Sequence, residues 1–249
     1  MDVADHIARL RVEGALLADA AERAGLDAPV PTCPDWQVRD LVVHAGGVHR
    51  WAAAHVAAAR PEPLGPDEEQ AMFAAPGDDE LMAWFRTGHA DLVATLSAAD
   101  PGVACWSFLP APSPLAFWSR RQAHETAIHR ADAQSAAATI TGYPTGFAID
   151  GIDELLFGFL SRRETCPVTD PARRLALRAV DADAAWTAHL EPDGRRFVRG
   201  AEPADLAVTG PAADLYLLVW NRRGLDGLSV DGDPRVLDGW RAGARVTWS

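Results

Sequence analysis

Residues 124 to 130 read HETAIHR, two histidines around a glutamate in an alanine-rich, helix-favouring stretch. These residue types suit a divalent cation. The zinc-protease signature H-E-x-x-H is missed by one position, because Ile128 stands where the second histidine belongs. On a helix His124 and His129 are separated by about 140°, so they do not face one ion together. Glu125 and His129 are separated by about 40° and one turn, so they do. Trp118, Gln122, Glu125, His129, Asp132 and Ala136 fall on one stripe. A buried carboxylate on such a stripe needs a cation or hydrogen-bond donors. The third ligand must come from another helix, and His44 shares an apolar face with Leu41, Val48 and Trp51. His49 and His55 lie off that face and are expected in solvent, as is His124. Two histidines and a glutamate with an open fourth position form a catalytic zinc arrangement; Ni²⁺, Fe²⁺ or Mn²⁺ would also accept the set. From spacing alone the plainer readings stay open. Glu125 and Arg121 make an ordinary helix-surface pair, and His44 alone is a hydrogen-bonded core histidine. Asp132 and Gln122 are either partners that orient a ligand or solvated residues at the bundle mouth.

The elements that must position these residues are helical as far as about residue 140. Apolar spacing predicts helices over about 3–24, 36–59, 79–98 and 115–137, with Asp35 as the cap of the second. Trp36, Trp84 and Trp118 fall at core spacing. The intervening segments, APVPTCPDW, RPEPLGPDEE and LPAPSP, read as proline-rich loops. Four long helices joined this way predict a four-helix bundle. After TGYPTG the pattern changes. A helix over 150–163 precedes the strand-like RLALRAVD and AWTAHLEP, a hairpin signal at Asp193-Gly194, and a strand in ADLAVTG. PAADLYLLVWNRR reads as a helix, LSVDGD as a strand, DPRVLDGWRAG as a short helix and RVTW as a last strand. The expectation is an α+β chain of two domains, 1–143 and 144–249.

Composition limits the chemistry. The 249 residues carry a net charge of −12, which argues against a nucleic-acid partner. All 23 basic residues are arginine, so lysine Schiff-base chemistry is excluded. Cys33, Cys105 and Cys166 are odd in number and widely spaced, which fits small buried apolar residues in a reducing cytoplasm. No signal-peptide pattern and no membrane-length apolar run is present, so a cytoplasmic protein without membrane association is expected.

Two segments, CPDWQVRDLVVHAGGVHRWA (33–52) and RRQAHETAIHRADAQ (120–134), resemble signatures of the mycothiol-dependent maleylpyruvate isomerase family. That family belongs to the DinB-like metal-binding bundle superfamily. The segment AVTGPAADLYLLVWNRRGLDGLSVDGDPRVLDGW is similar to its C-terminal domain. The resemblance implies a DinB-like bundle followed by a smaller α+β domain, and one metal ion held by His44, Glu125 and His129. It further implies zinc as the metal, mycothiol as a thiol cosubstrate and Arg222, beside Arg223, as the clamp for a substrate carboxylate. The family is typical of actinobacteria, in keeping with the arginine-only basic residues. The implied activity is cis–trans isomerisation by a metal-activated thiolate. The alternatives are thiol transfer to another electrophile, metal-assisted hydrolysis, or a non-catalytic metal-binding or regulatory protein on the same scaffold. The substrate expected is a small anionic or electrophilic molecule.

Overall fold

A computed structural model describes residues 1–162 and 169–244. The chain divides into two compact units, Met1–Thr141 and Gly142–Ser249. Among the described residues no helix is long and apolar enough to cross a membrane.

The first unit is built on four long helices, α1 (Val3–Ala24), α2 (Val38–Ala57), α4 (Asp78–Ala98) and α5 (Pro114–Ala136), with a short α3 (Pro66–Met72) between the second and third. Helix α1 packs against α5 and α4, and α2 against α4 and α5. Side-chain pairings give the directions. His44 meets Glu125, His49 meets Thr126 and Trp51 meets Trp118, so α2 and α5 run antiparallel. Gly46 abuts Trp84 and Gly88 abuts Arg50, so α2 and α4 run parallel. The connection from α2 to α4 must therefore travel back along the bundle, and it carries α3 on the way.

Local signals explain the helix ends. Asp2 caps α1, accepting from the Asp5 N–H at 2.8 Å. Ser113 caps α5, with Pro114 in its first turn. Helix α2 starts at Val38, after Gln37, whose N–H donates to the Asp40 carboxylate at 2.8 Å; the expected cap at Asp35 lies too early. The segment RPEPLGPDEE, expected to be a loop, contains the start of α3. Pro66 and three acidic residues suit a helix start, but α3 buries no residue, so no apolar period marked it.

The second unit is a five-stranded sheet with helices. Helix α6 (Thr145–Asp153) continues through a wider turn, Glu154–Leu160. The strands are β1 (Arg173–Ala179), β2 (Ala185–Glu191), β3 (Gly194–Arg199), β4 (Leu206–Gly210) and β5 (Ser229–Gly232) in the order β3-β2-β1-β4-β5. All neighbours are antiparallel except β1 and β4. The β2–β3 hairpin turns at Pro192-Asp193 with Gly194 opening β3 opposite Glu191, one residue earlier than the Asp-Gly signal implies. Helices α7 (Ala212–Val219) and α8 (Val236–Gly243) follow β4 and β5 respectively and pack on the sheet. Alternation buries Leu175, Leu177, Leu206 and Val208 together with Leu215 and Trp240. The strand expected in RVTW, and Cys166, lie outside the described residues. The observed α+β architecture is the one expected.

Candidate metal centre

Helix α5 packs mainly against α1 and also against α2. From Leu115 to Gln134 nearly every residue is buried, although the segment contains two histidines, two arginines after Ser119 that are buried, a glutamate and an aspartate. A polar helix in that position requires internal partners for its charges.

The partners converge where α2 crosses α5. Glu125 Oε1 lies 3.3 Å from His44 Nε2 and 3.1 Å from His129 Nε2. One ligand atom from each of these residues falls within 4.8 Å of the others. The His44 and His129 rings meet edge-on with centroids 4.8 Å apart. The second glutamate oxygen, Oε2, accepts from Arg121 Nη2 at 3.1 Å, and His129 Nδ1 lies 3.0 Å from Asp132 Oδ2. Thus the structure brings together the three residues that spacing selected, and places Asp132 against one of them. The Arg121–Glu125 pair is buried, not the surface pair allowed by spacing.

The electrostatics suit a cation. Burial pushes the Glu125 carboxyl up, but hydrogen bonds from His129 and His44 and the charges of His129 and Arg121 outweigh it and hold it well below the usual range. Burial lowers His129, but its bonds to Asp132 and Glu125 and their charges raise it to about 9. An extra positive charge is therefore favoured at this spot, supplied by a proton in the ligand-free chain. Two imidazoles and a carboxylate oxygen, already clustered and partly exposed, fit a divalent ion with a position to spare.

Aromatic rings border the cluster. Trp36 lies 5.1 Å from the His44 ring and stacks on His129 at 6.0 Å. Phe73, just past α3, lies 6.4 Å from His44 and covers Gly47. A Cβ on Gly47 would sit 2.1 Å from the Phe73 ring, so only glycine admits that contact. Trp118 is a core residue as expected, whereas Trp36 and Trp84 are only partly buried.

Three expectations of exposure are corrected. His49, His55 and His124 are fully buried. His49 lies 2.9 Å from Thr126 Oγ1, and His55 is enclosed by Trp51, Trp106 and Trp118. His124 lies edge-on to His6 of α1. Each falls off the face of its own helix that carries the cluster, but each is covered by a further neighbour. Gln122 is also buried, and neither amide atom has a hydrogen-bond partner among the described residues. Cys33 is half-buried, and Cys105 is buried, which pushes its thiol up and away from nucleophilic use. Arg222 follows α7 in the second unit, with Nη1 donating to the Trp220 carbonyl at 2.8 Å. Its neighbour Arg223 pairs with Asp214 of α7. Trp36, expected at the start of the second helix and at core spacing, precedes α2 and borders the cluster, a placement that helical spacing does not give.

Two family models match the chain. Residues 7–134 match the mycothiol maleylpyruvate isomerase N-terminal domain, and residues 146–239 match the corresponding C-terminal domain. Among solved structures, the mycothiol-dependent maleylpyruvate isomerase and a histidine-to-alanine variant of it each superpose with a TM-score of 0.64. Each is 13% identical and covers 92% of this chain and 93% of its own. At that identity the likeness speaks for the fold. No curated protein matches the chain in sequence.

Proposed function

The chain belongs to the mycothiol-dependent maleylpyruvate isomerase family, and from that premise we propose that it is a divalent-metal-dependent enzyme using mycothiol as a thiol cosubstrate. The reaction proposed is cis–trans isomerisation of a small conjugated acid such as maleylpyruvate, and zinc is the metal favoured. The observation that supports this reading is the convergence of His44, Glu125 and His129, from two helices, on one largely buried point.

In this reading the three residues are the ligands. Asp132 engages His129 Nδ1 and so leaves Nε2 for the ion; Arg121 engages Glu125 Oε2 and so leaves Oε1. A bound divalent ion would supply one thing, a local charge that deprotonates a thiol near neutral pH. With thiol and metal bound, the chemistry supplied would be addition of a thiolate to the conjugated double bond, rotation about the bond so made single, and expulsion of the same thiolate to restore the double bond as trans. Arg222 is proposed to hold a substrate carboxylate through paired N–H donors and to stabilise the enolate-like charge. Trp36 and Phe73 flank His44, so apolar surface borders the point where the ligand atoms meet and would limit water at a group bound there.

The test is elemental analysis of protein purified without added metal, followed by assay of maleylpyruvate with and without mycothiol. About one ion per chain and thiol-dependent turnover are expected. His44→Ala should lose both, and Arg222→Ala should raise KM with the metal retained. A chain that holds the ion but shows no thiol-dependent turnover of this acid or of other electrophiles would make the protein a metal binder and overturn the enzyme reading.

A further inference from the structure

The His129 ring is held from behind by hydrogen bonds that begin outside the long helices. Its Nδ1 faces Asp132 Oδ2 at 3.0 Å. The other carboxylate oxygen, Oδ1, accepts from Thr32 Oγ1 at 2.6 Å, across a sequence separation of 100 residues. Ser135 Oγ lies 3.3 Å from Thr32 Oγ1 and donates to the Asp132 carbonyl at 2.7 Å. Asp132 is fully buried. Thr32 sits in the connection between α1 and α2, which also brings Trp36 over the face of His129 and beside His44.

That connection is braced. The N–H groups of Val30, Cys33 and Trp36 donate to the carbonyls of Trp36, Val30 and Cys33 at 2.9, 2.9 and 2.8 Å. Arg39, in the first turn of α2, pairs with Asp27 before the turn and Asp78 at the start of α4. Thr32 is therefore presented to Asp132 from a fixed frame and not from a loose loop.

A carboxylate facing Nδ1 makes that nitrogen the donor, so in the neutral ring the lone pair lies on Nε2, which points at Glu125. An imidazole so oriented binds an ion without first choosing a tautomer or a rotation. An apolar residue would fill the place of Asp132 without burying a charge, so the carboxylate asks for a role beyond packing. We propose that Thr32 and Asp132 are positioning residues for the metal: Thr32 fixes the Asp132 carboxylate, and Asp132 fixes the tautomer and orientation of His129. The proposal rests on the reading of His44, Glu125 and His129 as ligands.

The test is zinc affinity, measured by chelator competition on metal-free protein, for the parent chain and for Asp132→Asn, Thr32→Val and Thr32→Ser. Thermal unfolding of each metal-free form is recorded alongside. Asp132→Asn should weaken zinc about 10- to 100-fold. Thr32→Val, which keeps the shape and removes the donor, should weaken it about 3- to 10-fold, and Thr32→Ser should restore it. Parental affinity in both Asp132→Asn and Thr32→Val would overturn the proposal, as would a serine variant as weak as the valine one. So would a loss of metal-free stability with affinity intact, which marks a purely structural role. If the parent chain itself binds no zinc, the ligand reading fails and this proposal with it, an outcome distinct from the others.

Discussion

At the scale of single residues, the charges around Glu125 make the sharpest predictions. Arg121 and Glu125 form a buried pair, so Arg121→Met strips one carboxylate oxygen of its donor. In the metal-free protein this should cost about 3 kcal/mol, read from urea unfolding. Saturating zinc should recover part of the loss. His124→Gln should lower stability, because the ring is fully buried, yet leave metal content unchanged; a stripped metal would mean that the ion is held at His124 and not by His44, Glu125 and His129. The meeting of His44, Glu125 and His129 was legible because helical spacing fixes which side chains share a face. The burial of His49, His55 and His124 was not. Spacing defines one favoured face per helix, whereas these residues are covered by second and third neighbours, including Trp106 from the loop before α5. Thr32 was illegible for a related reason, since its partner is 100 residues away.

At the scale of elements, the long helices were readable to within about two residues, because an amphipathic period over five turns outweighs local ambiguity. What the period omits is how close two helices come. Gly46 of α2 lies under the Trp84 ring of α4, where an added Cβ would fall 2.2 Å from ring carbon Cζ3. Arg50 lies over the same ring, 3.8 Å from its centroid, and donates to the Trp84 carbonyl at 2.6 Å. Gly46→Ala should therefore destabilise the bundle by about 1–3 kcal/mol despite the better helix propensity of alanine. A shift of the urea midpoint at unchanged slope would register it. An equal or higher midpoint would mean that α2 and α4 separate cheaply. The short α3 was not marked because it buries nothing, whereas Glu154–Leu160 lies within the helix expected over 150–163 and departs from it only in its wider turn.

At the scale of the whole molecule, buried histidines tie stability to pH. Burial lowers the pKa of His49, His55 and His89, foremost among the causes at each. Below the ordinary value of about 6.5 the unfolded chain takes up protons that these folded rings refuse. Their stabilising contribution is thus complete above that value and is lost as pH falls toward each lowered pKa. The slope is up to about 1.4 kcal/mol per pH unit for each ring that stays neutral. His129 runs the other way, its contribution present below about 6.5 and lost as pH rises through about 9 in the metal-free chain. Urea midpoints should therefore fall between pH 6 and pH 5, and His49→Gln should flatten that fall. A midpoint that does not move across this range would show that the rings admit protons freely in the folded state. The acidic, arginine-only composition bore on partners and chemistry, and the two-part division was visible as a change of pattern near residue 140.

His44 and Glu125 are 81 positions apart along the chain, on antiparallel rods that touch at their side chains. An ion gripping both would act as a reversible staple across most of the first unit, shortening the largest loop that unfolding must release. Its effect should be greatest on the rate of opening: loaded protein should resist protease for far longer than stripped protein, even where both share the same circular dichroism spectrum.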